Sequence, residues 1–527
     1  MSDHKRKLAL AAVVVASATA ISRVTGLGRE VVTAAIYGVD PNYNTLVSIS
    51  VIPNLIQQLF ADAAISAAFV PVFTALLAEG KIERAYRLAA NLLGLIVVVV
   101  GGVVAALVLA AVPLAQAVFP ELTTTAAGAD LASQLLRILL PTVLFLSIAG
   151  AISGVLYSLE RFTMPAVVSI VWNLTIIAAI VLLQGRIGVY AIASGMLVGT
   201  VLEVVLLAGA LMRAGHWVWP RVGLGDPLLR RVLLLMVPIT ITLGILNFNA
   251  LIGTWFAQFV SDRAAAEIGY AFRLYQLPQG IFAVTIGTVL FPSLSRLAAR
   301  REDGRFRETV SFGVRQMIFV SLPFVAWFMV MPEPFVRLVY QRGHFGPHAT
   351  AEVAPALAFL CVGLVFANSN IMLNRAFQSM QKPWLPMVVS VGNLVVNVVL
   401  CALLYKPLGV AGITFSMGFV SAVNFFALFV LLRRRVGRID GRRIAGAAGA
   451  ALLCAGALAA VSWGVWRLLA GFADGGFLPL LTAVLAAVGA GAAVYIGLAK
   501  AFKLEELTTV WRILRRRGVA PVAPPGD

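Results

Sequence analysis

Residues 21–30 read I-S-R-V-T-G-L-G-R-E and set Ser22, Arg23, Arg29 and Glu30 inside the first hydrophobic run of the chain. A guanidinium inserted at that depth costs roughly 2.5–3.5 kcal/mol, so it must face a wet cavity or a partner, and it counts as functional by default. The plainer alternative is an arginine at a helix end whose head snorkels to the interface. Apolar residues 8–21 lead into the stretch and 31–36 continue it, so a span of about 20 residues puts the charges in its middle or outer half. Gly26 and Gly28, between the two arginines, are expected to bend or unwind the helix. Arg273 is a further span-embedded cation, in the apolar stretch 266–294 that also holds Pro278.

Other chemistries find no residues to carry them. Cys361, Cys401 and Cys454 fall in apolar segments without C-x-x-C spacing or neighbouring His, which predicts neither a disulfide nor a metal site. Lys81 follows Gly80 but lacks the upstream glycine spacing and the Ser/Thr of a phosphate loop, so an ATP-driven pump is not expected unless another chain supplies the motor. His4, His216, His344 and His348 are scattered over the N-terminus and loops, with no nucleophile or carboxylate pair at a useful spacing. The expectation is a non-enzyme without a cofactor.

The side chains must be positioned by membrane helices. Of 527 residues, 60% are hydrophobic and 12% charged, in long apolar runs rather than at amphipathic spacing, which describes an all-α polytopic membrane protein. The net charge of +18 would suggest nucleic acid in a soluble chain. Here Lys and Arg concentrate in alternate loops, the positive-inside pattern, and no nucleic-acid partner is expected. Lys5, Arg6 and Lys7 ahead of an apolar run resemble a signal peptide, yet many spans follow, which favours an uncleaved first span. The second stretch, 46–77, carries Pro53, Pro71 and Asp62, and a bend or break is expected there. Runs at 88–118, 131–159, 165–183 and 188–212 complete six spans, and six more lie between 232 and 432. Two further runs, 444–469 and 477–498, precede an amphipathic tail expected on the inner surface. The total is about 14 transmembrane helices. They divide into an N-lobe 1–212, a C-lobe 213–433, a C-terminal pair 434–500 and a cytoplasmic tail 501–527, with both termini cytoplasmic.

The two sets of six repeat each other. L-Y-S-L-E-R-F-T-M-P at 156–165 parallels F-Q-S-M-Q-K-P-W-L-P at 377–386, and Gly188-Val189 parallels Gly409-Val410, each 221 residues on. With one gap, Asn173-Leu174 meets Asn393-Leu394. A common spacing at both ends of a span pair favours duplication over chance composition. An even number of spans per repeat inserts both lobes in the same orientation, which predicts a pseudo-twofold axis along the membrane normal and a cavity between the lobes.

Taken with the span count, S-R-V-T-G-L-G-R-E at 22–30 and I-P-N-L-I-Q-Q-L-F-A-D-A-A-I-S-A-A-F-V-P at 52–71 resemble the MurJ (MviN) lipid II flippase family of the multidrug/oligosaccharidyl-lipid/polysaccharide exporter superfamily. Y-A-F-R-L at 270–274, Y-Q-R-G-H-F at 340–345 and L-N-R-A-F at 373–377 extend the likeness over essentially the whole chain. The resemblance implies a cationic central cavity and a lipid-tail groove formed by the last two spans. It further implies alternating access, carrying a lipid-linked polyprenyl diphosphate glycan to the outer leaflet of the bacterial cytoplasmic membrane for peptidoglycan synthesis. It makes Ser22, Arg23, Arg29 and Arg273 cavity residues, the arginines contacting the diphosphate, a role that suits a fixed fork of donors. Fold alone does not separate this from another lipid-linked oligosaccharide or drug exporter, or from a transport-inactive scaffold. The implied partners are membrane lipid and cell-wall synthesis proteins, with the chain itself a monomer.

The chain departs from the family pattern P-N-L-L-R-R-L-F-A-E-G by carrying Gln57 and Gln58 for the arginines and Asp62 for the glutamate. The family's acid ahead of that motif falls at Asn44, and the acid of a proposed sodium site at Gly253. On the resemblance, Gln57, Asn44 and Asp62 join the substrate-binding set. Asn393 and Asn397 form a polar i, i+4 face with Thr414 near it. That face reads as an ion site by resemblance and as an interhelical hydrogen-bonding seam from the residues alone. Coupling to a monovalent cation or to the membrane potential is open at this point.

The Lys/Arg asymmetry generates a topology test. Thr124→Cys is labelled from outside intact cells and Gly304→Cys is not; the opposite labelling pattern reverses the orientation.

Overall fold

The structure is a computed structural model that describes residues 3–60, 63–215, 217–223 and 225–507. Every element among them is helical. The bilayer imposes this, because without water each backbone N–H and C=O must find its partner inside the segment. The chain divides into two compact units: Met1–Gly269 with Tyr340–Thr350 and Cys401–Ile413, and Tyr270–Val339 with Ala351–Leu400 and Thr414–Asp527.

Unit 1 opens with α1 (Asp3–Tyr37), α2 (Pro41–Phe60) and α3 (Ala63–Ala78). α1 runs unbroken through Gly26 and Gly28, so the helix does not unwind there. Pro53 and Pro71 are likewise held inside α2 and α3, and residues 61 and 62 between them lie outside the described residues. Next come α4 (Ile82–Leu95), α5 (Gly101–Leu109) and α6 (Ala111–Val118), with a π-helical turn at Ile96–Val100 joining the first two into one span. α7 (Ala126–Ser158), α8 (Thr163–Ile187), α9 (Tyr190–Arg213) and α10 (Pro227–Ala257) complete the set. The core runs along α7, where Leu135, Leu136, Leu139, Leu140 and Val143 are fully buried at helical spacing, against α2 and α9.

α11 (Ala264–Pro278) starts in unit 1 and passes into unit 2, where a π-helical turn links it to α12 (Val284–Ala299). α13 (Asp303–Val330) and α14 (Pro332–Tyr340) precede α15 (Pro347–Cys361) and α16 (Leu364–Ser379), a pair bent by 44°. α17 (Trp384–Val436) is two legs meeting at the non-helical Gly409. α18 (Gly441–Ala473) and α19 (Phe477–Ala501) form a hairpin against α13. Trp327 Nε1 donates to Ser462 Oγ at 3.1 Å, and Tyr495 OH donates to the Phe319 carbonyl at 2.7 Å. The tail expected on the inner surface begins by docking on α13 as well. Glu506, 3% exposed, meets Arg315 at 2.6 Å, and Gln316 Nε2 donates to the Glu506 carbonyl at 3.2 Å. The rest of the tail, from 508 on, lies outside the described residues.

Eight helices among the described residues are long and apolar enough to cross a membrane, nine with the bent pair α15–α16. The second leg of α17, together with α1, the pair α2–α3, α10 and the pair α11–α12, brings the series to the fourteen expected.

The sequence repeat is written into the backbone. Gly80 (φ 73°) and Arg301 (φ 56°), Glu160 (φ 57°) and Gln381 (φ 58°), and Gly188 (φ 55°) and Gly409 (φ 56°) all adopt positive φ, and each pair is 221 residues apart. At the last pair ψ agrees as well, −133° and −134°. That combination is open to glycine and costly for any residue with a Cβ. Gly409→Ala is therefore expected to lower stability by about 1–3 kcal/mol, whereas Arg301→Gly is neutral or gains up to about 1 kcal/mol. Thermal unfolding of the detergent-solubilised chain measures both. An unchanged midpoint for Gly409→Ala would mean that the turn is not confined to this conformation.

Candidate functional site

Within unit 1, α8 crosses α1 beside the arginine stretch. Gly26 faces Asn173, whose Nδ2 would lie at ordinary contact distance, 3.7 Å, from a Cβ at that position. Asn173 Nδ2 donates to the Ser169 carbonyl at 2.9 Å and, at the 3.5 Å limit, to the Ser22 carbonyl. One residue back on α8, the Trp172 ring lies under Arg29, with 5.0 Å from the guanidinium carbon to the ring centroid. The Glu30 carboxylate pairs with Arg29 at 2.5 Å, and both side chains are largely buried, 16% and 12% exposed. The charge on Arg29 is thus held by an opposite charge and an aromatic face, a contact worth about 0.5–2 kcal/mol. One ion pair occupies only part of a fork of five N–H donors, so the group retains capacity for an anionic ligand. Arg23 lies on the exposed face of α1, between Ser22 and the 71%-exposed Val24.

The remaining expected site residues are placed as follows. Gln57 is half-buried on α2 and Gln58 exposed. Asn44, 1% exposed, turns to a neighbouring helix: its Oδ1 accepts from Ala266 N at 3.0 Å in the first turn of α11. Asn44 therefore caps α11 from outside the helix, supplying an acceptor for an N–H without an intrahelical partner. Its Nδ2 is buried without a partner among the described residues. Asp62 lies outside the described residues. Arg273 belongs to unit 2, exposed on α11 and flanked by buried Tyr270 and by Phe272, which stacks on Tyr275 at 5.7 Å.

Asn393, Asn397 and Thr414 are 5%, 1% and 0% exposed on the two legs of α17. Asn393 Nδ2 donates across the legs to Asn424 Oδ1 at 2.7 Å, and Asn370 Nδ2 of α16 donates to the Ser421 carbonyl at 2.9 Å. Gly253 is buried in α10 and contributes no carboxylate. These three residues offer a hard cation only neutral oxygens, where it favours negative ones. They fit an interhelical hydrogen-bonding seam better than a cation site. Arg375 lies over the Phe291 ring, 5.3 Å from its centroid, and donates to Gln378 at 3.1 Å.

Sequence reasoning passed over Trp172 and Asn424. The repeat itself held a signal, since it paired Asn173 with Asn393 and thereby marked the helices that carry both polar contacts. No spacing rule announces the partner of a cation–π pair from another helix.

Solved structures share this fold. An inward-facing multidrug resistance MATE family transporter of the MOP superfamily superposes with a TM-score of 0.65 at 15% identity, covering 81% of this chain and 98% of that one. A lipid II flippase MurJ in an inward closed conformation superposes at 0.74 with 21% identity, covering 96% and 100%. The chain is therefore a polytopic helical membrane protein of the exporter fold. In sequence, the family model for lipid II flippase MurJ matches residues 33–483. Lipid II flippase MurJ of Burkholderia cenocepacia is 29% identical over 429 residues, 79% of this chain and 82% of that protein. The probable lipid II flippase MurJ of Rhizobium tropici is 30% identical over 440 residues, 80% of each chain. The chain belongs to the lipid II flippase MurJ family.

The cap on α11 gives a stability test. Asn44→Ala is expected to cost about 0.5–2 kcal/mol, because it removes the acceptor for Ala266 N, while Asn44→Ser, which keeps a hydroxyl acceptor, loses less. Thermal melts compare them. Equal melting of Asn44→Ala and the parent chain would show that the contact contributes nothing.

Proposed function

We propose that this chain translocates lipid II, the lipid-linked peptidoglycan precursor, from the inner to the outer leaflet of the bacterial inner membrane by alternating access. The observation that carries this reading is Arg29, a guanidinium held inside the first hydrophobic run between Glu30 and Trp172. Membership of the family over residues 33–483 supports it. Arg23, Arg29 and Arg273 bind the substrate diphosphate, for which a planar fork of donors is suited. Ser22 and Gln57 contribute polar contacts, and Asp62 belongs to the same set. Residues 1–212 and 213–433 act as the two lobes, and 434–500 guide the prenyl tail along α18 and α19. Both termini and the tail 501–527 face the cytoplasm. Coupling of transport to a monovalent cation or to the membrane potential belongs to the same reading.

Arg23→Ala, Arg29→Ala and Arg273→Ala each remove charge-assisted hydrogen bonds worth about 1.5–3 kcal/mol, at least about tenfold in lipid II affinity. Arg→Lys restores part of it, since an ammonium lacks the bidentate contact. Gln57→Arg is expected to strengthen binding. Native mass spectrometry with lipid II measures the affinities, and growth of a lipid II flippase-depleted bacterium reports transport. Parental binding by all three alanine variants would sink the mechanism. Failure of the unaltered chain to sustain growth would sink the function.

A further inference from the structure

A cavity of about 900 Å³ opens in unit 1 between the first turns of α4 and the segment leading into α10. Lys81, Arg84, Arg87 and Asn91 form one wall, and Gly223 and Asp226 the other, with Glu83 also bordering it. The three cations recur every third residue and so share one side of the helix start. Lys81 is paired with Glu79 at 2.6 Å, and that hydrogen bond and charge hold the Glu79 carboxyl below its ordinary range. Arg84 and Arg87 make no ion pair among the described residues. On the far wall Asp226 is already engaged, its Oδ2 accepting from Asn91 Nδ2 at 3.0 Å and its Oδ1 from Leu228 N at 2.9 Å. Two guanidinium forks therefore border a space whose opposite wall offers them only an acid committed elsewhere.

The far wall is fixed in place. Arg221 N donates to the Ala90 carbonyl at 2.9 Å. A Cβ on Gly94 would fall 2.0 Å from the Arg221 carbonyl oxygen, and one on Gly223 would fall 2.5 Å from Asn91 Oδ1, so this approach of backbone to helix excludes side chains. The same segment exposes Trp217 (45%), Trp219 (68%) and Val222 (62%), the two indoles set edge to face at 5.3 Å. Exposed tryptophans where spans end are the mark of the membrane interface. A basic pocket beside them, at the end assigned to the inner leaflet by the Lys/Arg bias, matches a lipid phosphate.

We propose that this cavity binds the phosphate headgroup of an anionic membrane lipid, Arg84 and Arg87 taking the phosphate oxygens while Trp217 and Trp219 sit in the headgroup layer.

The test uses the full chain, delipidated in detergent and titrated with phosphatidylglycerol or phosphatidylcholine, with retained lipid counted by native mass spectrometry. One phosphatidylglycerol is expected to be held more tightly than phosphatidylcholine. The double variant Arg84→Gln/Arg87→Gln loses at least about tenfold of that affinity, and Arg87→Lys, which keeps charge but not the fork, falls between. Trp217→Ala/Trp219→Ala weakens lipid retention without changing the preference for the anionic headgroup. Unchanged melting and lipid II binding certify that the variants are folded, and a variant that fails this check is replaced by Arg87→Lys as the comparison. Equal retention of the two lipids, or equal phosphatidylglycerol affinity in the parent and charge variants, overturns the proposal. Displacement of the lipid by an equimolar amount of inorganic phosphate assigns the pocket to a free anion and overturns it too.

Discussion

A backbone amide in hydrocarbon has no water to fall back on, and this requirement decides where the chain can leave the helix. Departures are few and carried by specific devices: π-helical turns at Ile96–Val100 and Gln279–Ala283, and positive-φ residues between helices. The positive-φ turns at 80 and 301, 160 and 381, and 188 and 409 keep their backbone in both halves of the chain. Gly80 adopts its turn without strain, while Arg301 holds the same one against an unfavourable Cβ. Backbone geometry has been retained where residue type has not.

The second demand is that a charge inside an apolar helix be solvated by the protein. Arg29 meets it locally, through the next residue in sequence and a tryptophan from α8. A partner at an adjacent position keeps the carboxylate close while directing it along the helix surface. The guanidinium lies over the Trp172 ring, so its position is constrained before any ligand arrives. Pre-setting a donor fork reduces the ordering cost of recognition.

Much of the fold was legible because it rests on long apolar runs, charge bias and a repeat, all local or periodic properties. The fourteen-span series and the Gly188/Gly409 pairing are of this kind. Continuity of α1 was not legible, since Gly26 looks like a hinge in sequence and is in the structure an ordinary helical position packed beside Asn173. The site divides the same way. Arg29 stood out by its type and depth, but Trp172 and Asn424 matter only through another helix. Asn44, marked by resemblance as binding, sets its oxygen against Ala266 N of α11, a contact that no spacing in the sequence announces. Polarity in a membrane segment reveals that a partner exists and leaves its identity to the packing.

The hairpin α18–α19 and the start of the tail are fastened to α13 at three heights, through Glu506 with Arg315 and Gln316, Tyr495 with Phe319, and Ser462 with Trp327. A buried ion pair such as Arg315–Glu506 adds little net stability over apolar packing, but it fixes register. With attachments spread along nearly half of α13, the hairpin is splinted to that helix at several points, and a tilt of α13 carries α18 and α19 along with it.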